Sequence, residues 1–270
     1  MDHTQEPVGE LLRRWRERRH RSQLELAVAA GVSARHVSFI ETARATPSRD
    51  MIERLCDELD VPLRERNTLH LSAGFAPMYP ERPLADLGVA RSAVDAVLRG
   101  HEPHPAMAIN LRWDLLAANQ AMQALLGGLG ERFLKPPVNG LRAMLHPEGM
   151  ASRVRNYAQW RAATLRRVRR QLERTADAGL RELLAELESY PTPVTRDEAE
   201  TLPVNDLVMP VVLMTEGGDL SLHHALTVFG APRDVTLDEI AIETFFPADE
   251  RSADLLSRLT QATAGGARST

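Results

Sequence analysis

An α+β chain of two domains is the fold class this sequence predicts, and three observations predict it. Positions 8 to 71 carry apolar residues at helical spacing, broken at intervals by serines of the kind that cap helices. The stretch Ala73-Gly74-Phe75-Ala76-Pro77-Met78-Tyr79-Pro80-Glu81-Arg82-Pro83 suits neither helix nor central strand, and marks a linker over 76–83. The last third turns to apolar runs of strand length around Gly217-Gly218, which reads as a two-residue hairpin turn. The expected domains are thus 1–75, helical, and 84–270, mixed.

Each element of the first domain has its own signal. Residues 8 to 20 form a first helix, with Leu11, Leu12 and Trp15 as its apolar stripe and arginines around the rest. Ser22 caps a second helix carried by Leu24, Ala27 and Val28, and Gly31 fits the left-handed position that ends it. Ser33 caps a third, whose Val37, Ile40 and Val32 face inward while Ala34, Arg35, His36 and Ser38 project outward from its first turns. Ser48 caps a fourth helix through 59, and Pro62 opens a fifth to about 71. A short turn between the second and third helices, with an outward-facing tip on the third, is the layout of a recognition helix.

Composition bounds what the chain can be. A hydrophobic fraction of 43% and a charged fraction of 26% belong to a globular protein and exclude the disordered and fibrous classes. No apolar run approaches the ~20 residues that span a bilayer, and the first residues lack the basic and apolar regions of a signal peptide, so a cytoplasmic protein away from the membrane is expected. Cys56 has no cysteine partner, and its place among Ile52, Leu55 and Leu59 predicts burial. The net charge of −4 looks wrong for a nucleic-acid binder until it is divided by region. From Arg13 to Arg49 there are nine arginines against three acids, so the helical motif is cationic and attracts phosphate.

The stretch Ser22 to Ser48, with its Ser-Gln-x-x-Leu-Ala-x-x-Ala-Gly-Val-Ser core and Ile40-Glu41 close, resembles the helix-turn-helix of the Xre/Cro-type repressors. The resemblance implies a phosphate contact from Gln23 and readout of base edges in the major groove by residues at the start of the third helix. By position these are Ser33, Ala34, Arg35, His36 and Ser38, with Phe39 at a thymine methyl and Arg44 on a phosphate. Where that family continues Glu-Asn-Gly or Glu-Gln-Gly, this chain has Glu41-Thr42-Ala43. The glycine is missing, and a loop of different shape is expected. Singly, each residue has a plainer reading as a solvated surface charge or a helix cap.

In the second domain, 87 to 99 reads as an amphipathic helix, 106 to 110 as a short strand, and 113 to 116 as another. A helix through 125 ends at Gly127-Gly128. Residues 149 to 190 read as one long helix or two, bent at Gly179, and strands follow at 208 to 215, 220 to 229 and 240 to 246, with a closing helix from 249. Pro210 confines the pairing of the first of these strands to its later part. The whole arrangement resembles the MmyB-like transcription regulators. The residues that carry the likeness are Ala73 to Pro77, His104-Pro105-Ala106, Trp113-Asp114, Ala117-Ala118-Asn119, Leu145-His146-Pro147, Asn156 to Arg161, Phe229-Gly230, Asp234 to Leu237 and Phe245-Phe246-Pro247. That resemblance implies a PAS-like domain, a five-stranded antiparallel sheet flanked by helices, which binds apolar small molecules such as fatty acids.

No catalytic, metal or cofactor constellation stands out. His101 and His104 flank a proline, and His223 and His224 are neighbours on a strand, pointing to opposite faces. One cysteine and no His-Glu-x-x-His leave no zinc set, and the phosphate-cradling, nucleophile-elbow and dinucleotide fingerprints are all missing. One oddity remains. Val154, Tyr157, Leu165, Val168 and Leu172 share one helical stripe, and Arg161 sits at its centre. Such an arginine pairs with an internal acid, reaches water over a buried stem, or meets the carboxylate of an apolar-tailed effector, with Tyr157, Leu165 and Val168 lining the tail. From Arg153 to Arg174 there are eight arginines against one acid, a solvated face or a source of further phosphate contacts. The expected function is a ligand-responsive regulator acting as a homodimer on a two-fold operator in double-stranded DNA. An enzyme fused to a helix-turn-helix and an adaptor that keeps the motif as a scaffold are the alternatives.

Overall fold

The structure, a computed structural model, describes residues 6–192 and 209–266, with 261–266 by backbone alone. The chain forms two compact units, Met1–Arg82 with Ala231–Asp238, and Pro83–Gly230 with Glu239–Thr270.

The first unit holds α1 (Val8–Arg18), α2 (Gln23–Ala29), α3 (Ala34–Glu41), α4 (Arg49–Glu58) and α5 (Leu63–Ser72). Ser22, Ser33 and Ser48 cap α2, α3 and α4 as their positions predict, each hydroxyl accepting from the amide three residues on. Glu25 reaches back to the Ser22 amide and completes a capping box, which holds its carboxyl below the ordinary range. The five C-termini close in one way. A residue with positive φ follows the C-cap, and backbone bonds run from it and its successor into the last turn, as with Ala43 N to Ile40 O and Arg44 N to Phe39 O. The left-handed positions are His20, Gly31, Ala43, Asp60 and Gly74. The turn after α3 therefore closes like the others without its glycine, Ala43 taking φ +55° itself. Leu11, Leu12, Trp15, Leu26, Ile40, Ile52, Leu55, Leu59 and Leu69 make the core, and Cys56 lies fully buried within it, its thiol pushed up by desolvation.

The Pro-rich residues 78–81 lie on α5. Asn67 accepts the Met78 and Tyr79 amides and donates to the Tyr79 carbonyl, all within 2.9 Å, and Arg64 grips Glu81 through both Nη atoms. Burial raises the Tyr79 phenol to about 12, helped by its hydrogen bond to Glu53. Glu53, also bonded to His70 and Arg66, is pushed up by burial but held below its usual range by those three donors.

The second unit is built on one antiparallel sheet in the order β2-β1-β5-β4-β3, a PAS-like arrangement. Its strands are β1 (Ala106–Ile109), β2 (Leu115–Ala118), β3 (Val211–Thr215), β4 (Gly218–Val228) and β5 (Ala241–Pro247). Around them lie α6 (Val89–Gly100), α7 (Gln120–Leu126), α8 (Glu131–Leu134), α9 (Gly140–Leu145), α10 (Tyr157–Thr175), α11 (Ala178–Ser189) and α13 (Glu250–Gly266). The short α12 (Val235–Glu239) runs from the first unit into this one. The fold class is α+β.

Three local expectations shift. The hairpin turn is Glu216-Gly217, because Gly218 already pairs with Thr215 and starts β4 at φ +117°. The strand expected at 113 begins at Leu115, since Trp113 adopts φ +67° in a turn whose Arg112 and Asp114 amides both bond Asn110 Oδ1. The long helical region breaks not at Gly179 but at Ala176, left-handed at φ +59°, and Asp177 then caps α11. Gly179 lies inside α11, where a Cβ would come within 2.4 Å of Arg112 Nε, and its bareness lets Arg112 reach Asp177 at 3.0 Å. β3 opens just after Pro210, and the expected start of that strand at Val208 lies outside the described residues.

Candidate nucleic-acid interface and effector core

The tip of α3 is assembled from the inside outward. Val37 and Ile40 are buried and fix the helix, which leaves Ala34, His36 and Ser38 half-buried and Arg35 exposed on the opposite side. Ser33 accepts the His36 amide at 3.1 Å, so its hydroxyl is committed to the cap. The Arg35 guanidinium stands 5.1 Å from the centre of the Phe39 ring and the Arg44 guanidinium 6.0 Å from it. Arg44 is brought there by the turn itself, because its amide is the one that bonds the Phe39 carbonyl. Phe39 thus has two cations close to its ring, and the sequence positions 35, 39 and 44 come together.

Behind the tip lies a polar anchor. Glu41 at the end of α3 is 8% exposed and accepts Arg16 Nε at 2.6 Å and Nη2 at 2.9 Å, a bidentate pair that ties α1 to α3. That hydrogen bond holds the Arg16 guanidinium above its usual value. Gln23 Nε2 donates to the same carboxylate at 2.7 Å, so the expected phosphate ligand is oriented by the recognition helix. Sequence reasoning missed two members here. Arg16 was one arginine among many on a cationic helix, and Gly9 gave no motif signal. A Cβ at Gly9 would stand 2.1 Å from the Ile40 carbonyl oxygen, so only glycine lets α1 approach α3 this closely.

In the second unit, Tyr157, Leu165 and Val168 are buried in one core with Leu145, Leu184, Leu187 and Leu213. The Tyr157 hydroxyl donates to the Leu145 carbonyl at 3.0 Å. Among the described residues Arg161 meets no acid. Its Nη2 donates to the carbonyls of Leu187 at 3.1 Å, Glu188 at 3.0 Å and Tyr190 at 3.4 Å, the cationic head sitting on the negative C-terminal end of α11. Its Nε is buried and, among the described residues, has no hydrogen-bond partner. Much of the arginine-rich stretch is likewise engaged, Arg155 with Asp219 and Arg169 with Glu188.

A second buried charge lies deeper on the sheet. Arg167 Nη1 donates to Glu243 Oε1 at 2.6 Å, and its guanidinium stands 4.5 Å from the Trp113 ring centre. His224 Nε2 lies 3.4 Å from the same Nη1, and burial pushes that imidazole below its ordinary value, toward the neutral form. Gln171 accepts the Trp113 indole N–H at 3.1 Å. The usable signal in the sequence was Glu243, a lone carboxylate within the apolar run of β5, which demands a cation opposite. Among the described residues no group of histidine, cysteine, aspartate or glutamate is placed to hold a metal ion, and no helix is long and apolar enough to cross a membrane.

Known proteins bear on both units. A helix-turn-helix domain family matches residues 7–69, covering α1 to most of α5. No curated protein matches the chain. A second family matches residues 90–259, more than half of the chain and nearly all of the second unit. The chain therefore belongs to the family of the MmyB-like transcription regulator ligand binding domain, joined here to a helix-turn-helix, and is a ligand-responsive transcription regulator.

Proposed function

We propose that the protein is a cytoplasmic, sequence-specific DNA-binding regulator. It acts as a homodimer on a two-fold operator and answers to an apolar acid of the fatty-acid kind. The observation that carries the DNA reading is the outward face of α3, where Arg35 is exposed beside Phe39 and Arg44 while Val37, Ile40 and Glu41 lock the inner face. In this reading Arg35 and His36 address base edges, Ser38 and Ala34 pack along them, and Phe39 meets a thymine methyl. Arg44 and Gln23 bind phosphate, Gln23 with the amide hydrogen that Glu41 leaves over.

The effector reading rests on Arg161. A guanidinium whose Nε is buried and unpartnered among the described residues, beside Tyr157, Leu165 and Val168, offers one charge-assisted donor to a carboxylate and an apolar wall to its tail. Medium-chain fatty acids and their methyl esters, compared by thermal shift on wild type and on Arg161→Leu, test it, each protein against its own unliganded melting point. Acids should raise the wild-type melting point more than esters, and Arg161→Leu should remove the difference. Equal shifts from acid and ester on wild type, or acid binding that survives Arg161→Leu, leave Arg161 as a cap of α11 and nothing more.

A further inference from the structure

The N-cap of α5 is Pro62, which supplies no side-chain acceptor, yet the Leu63 amide is bonded, to Asp238 Oδ2 at 3.1 Å. The cap of this helix comes from 175 residues along the chain. Asp238 ends the segment Ala231–Asp238, which belongs to the first unit although the strands that flank it, β4 and β5, belong to the second. The segment is tied down along its length. Asp234, 3% exposed, accepts Arg82 Nε at 3.0 Å; the Thr236 hydroxyl donates to the Arg82 carbonyl at 2.7 Å; the Val235 amide donates to the Pro80 carbonyl at 2.9 Å; and the Val235 side chain is fully buried. Residues 78–81 are in turn fastened to α5 by Asn67 and Arg64, and to α4 by Glu53. From α5 the contact runs to α1, and from α1 through Arg16 and Gly9 to α3.

We propose that residues 231–238 are a latch that completes the DNA-binding unit, with Asp238 capping α5, Asp234 and Thr236 holding Arg82, and the Val235 amide holding Pro80. The latch is joined to β4 and to β5 by two residues at either end, since Val228 ends one strand and Ala241 begins the other. Glu243, bonded to Arg167 in the core of the second unit, lies in the strand into which the latch runs. A change in the seating of β5 therefore reaches Asp238 through the covalent chain, and what it alters is the order of α5 and the support of the recognition helix. The idea deepens the regulatory reading above and rests on it only where DNA is the probe.

Hydrogen–deuterium exchange on the full-length chain tests it in two arms. Without DNA, Asp238→Ala should speed exchange of the first-turn amides of α5 roughly 2–30-fold, the range for loss of an N-cap, while amides of α10 and α11 keep their rates. Asp234→Ala should do the same for residues 78–82. With a mixed-sequence duplex at low salt, wild-type residues 231–238 should gain protection along with α3, because coupling is reciprocal, and Asp238→Ala should lose that gain while α3 keeps its own. Unchanged α5 exchange in Asp238→Ala overturns the latch, as does a wild type in which DNA protects α3 but leaves 231–238 unaltered. Should DNA protect nothing, α3 included, the DNA-binding reading falls, and the latch stands or falls by the first arm. If Asp238→Ala does not fold, Asp238→Asn, which keeps the size and a weaker acceptor, replaces it with a smaller acceleration expected.

Discussion

Arg35 and Gln23 lie on neighbouring helices, and the proposed function gives them different roles. Arg35 is exposed at the tip of α3 with Phe39 at its back, whereas Gln23 is half-buried and aligned by Glu41. Arg35→Ala should cost about 1–3 kcal/mol at the preferred operator and relax specificity at one base position, and Gln23→Ala should weaken all sequences alike. Binding isotherms on specific and random duplexes decide it; equal losses on both for Arg35→Ala contradict its role as a base reader. Ala43 carries a second prediction. Held at φ +55°, it meets the left-handed penalty of an L residue, so Ala43→Gly should raise stability by about 1 kcal/mol in urea denaturation. A lower midpoint contradicts it. The serine caps were legible because their side chains announce the bond they make. His20, Ala43 and Asp60 were not, because the backbone bonds that force them left-handed leave no mark on residue type.

Among elements, the crossing of α1 over α3 matters most to the interface. Gly9 permits it and Arg16 with Glu41 fastens it, so Gly9→Ala must push the helices apart. The expected result is a loss of about 1–3 kcal/mol of stability from overpacking, with weaker operator binding beyond what the fraction unfolded explains. A variant with wild-type melting and wild-type affinity contradicts the close approach. All five helices of the first unit were legible from caps and spacing. Elements of the second unit were legible in kind and less so in their limits. Gly179 suggested a bend because glycine ends helices, but its bareness serves the side chain of Arg112 instead. Gly217-Gly218 suggested the hairpin, and the pairing of Thr215 with Gly218 moved it back by one residue. Arg161 was legible as an anomaly on an apolar stripe; its partners, three carbonyls at the end of another helix, lie too far along the chain for periodicity to reach.

At the scale of the molecule, the prolines from Pro77 to Pro83 lie where the first compact unit gives way to the second, which begins at Pro83. The return of residues 231–238 to the first unit was not legible in the sequence, because Asp234, Thr236 and Asp238 are ordinary turn and cap residues whose partners lie more than 150 positions away. In the proposed function α3 reads DNA as one half of a two-fold pair. Selection of duplexes from a random-sequence library by the purified full-length chain, with wild type and Arg35→Ala in parallel, tests it most directly. The expected result is enrichment of an inverted repeat whose half-sites are centred roughly 34–36 Å apart, about one turn of DNA, with information lost at one position of each half-site for Arg35→Ala. No enrichment over the starting library, or a site without two-fold symmetry that Arg35→Ala selects unchanged, would contradict it.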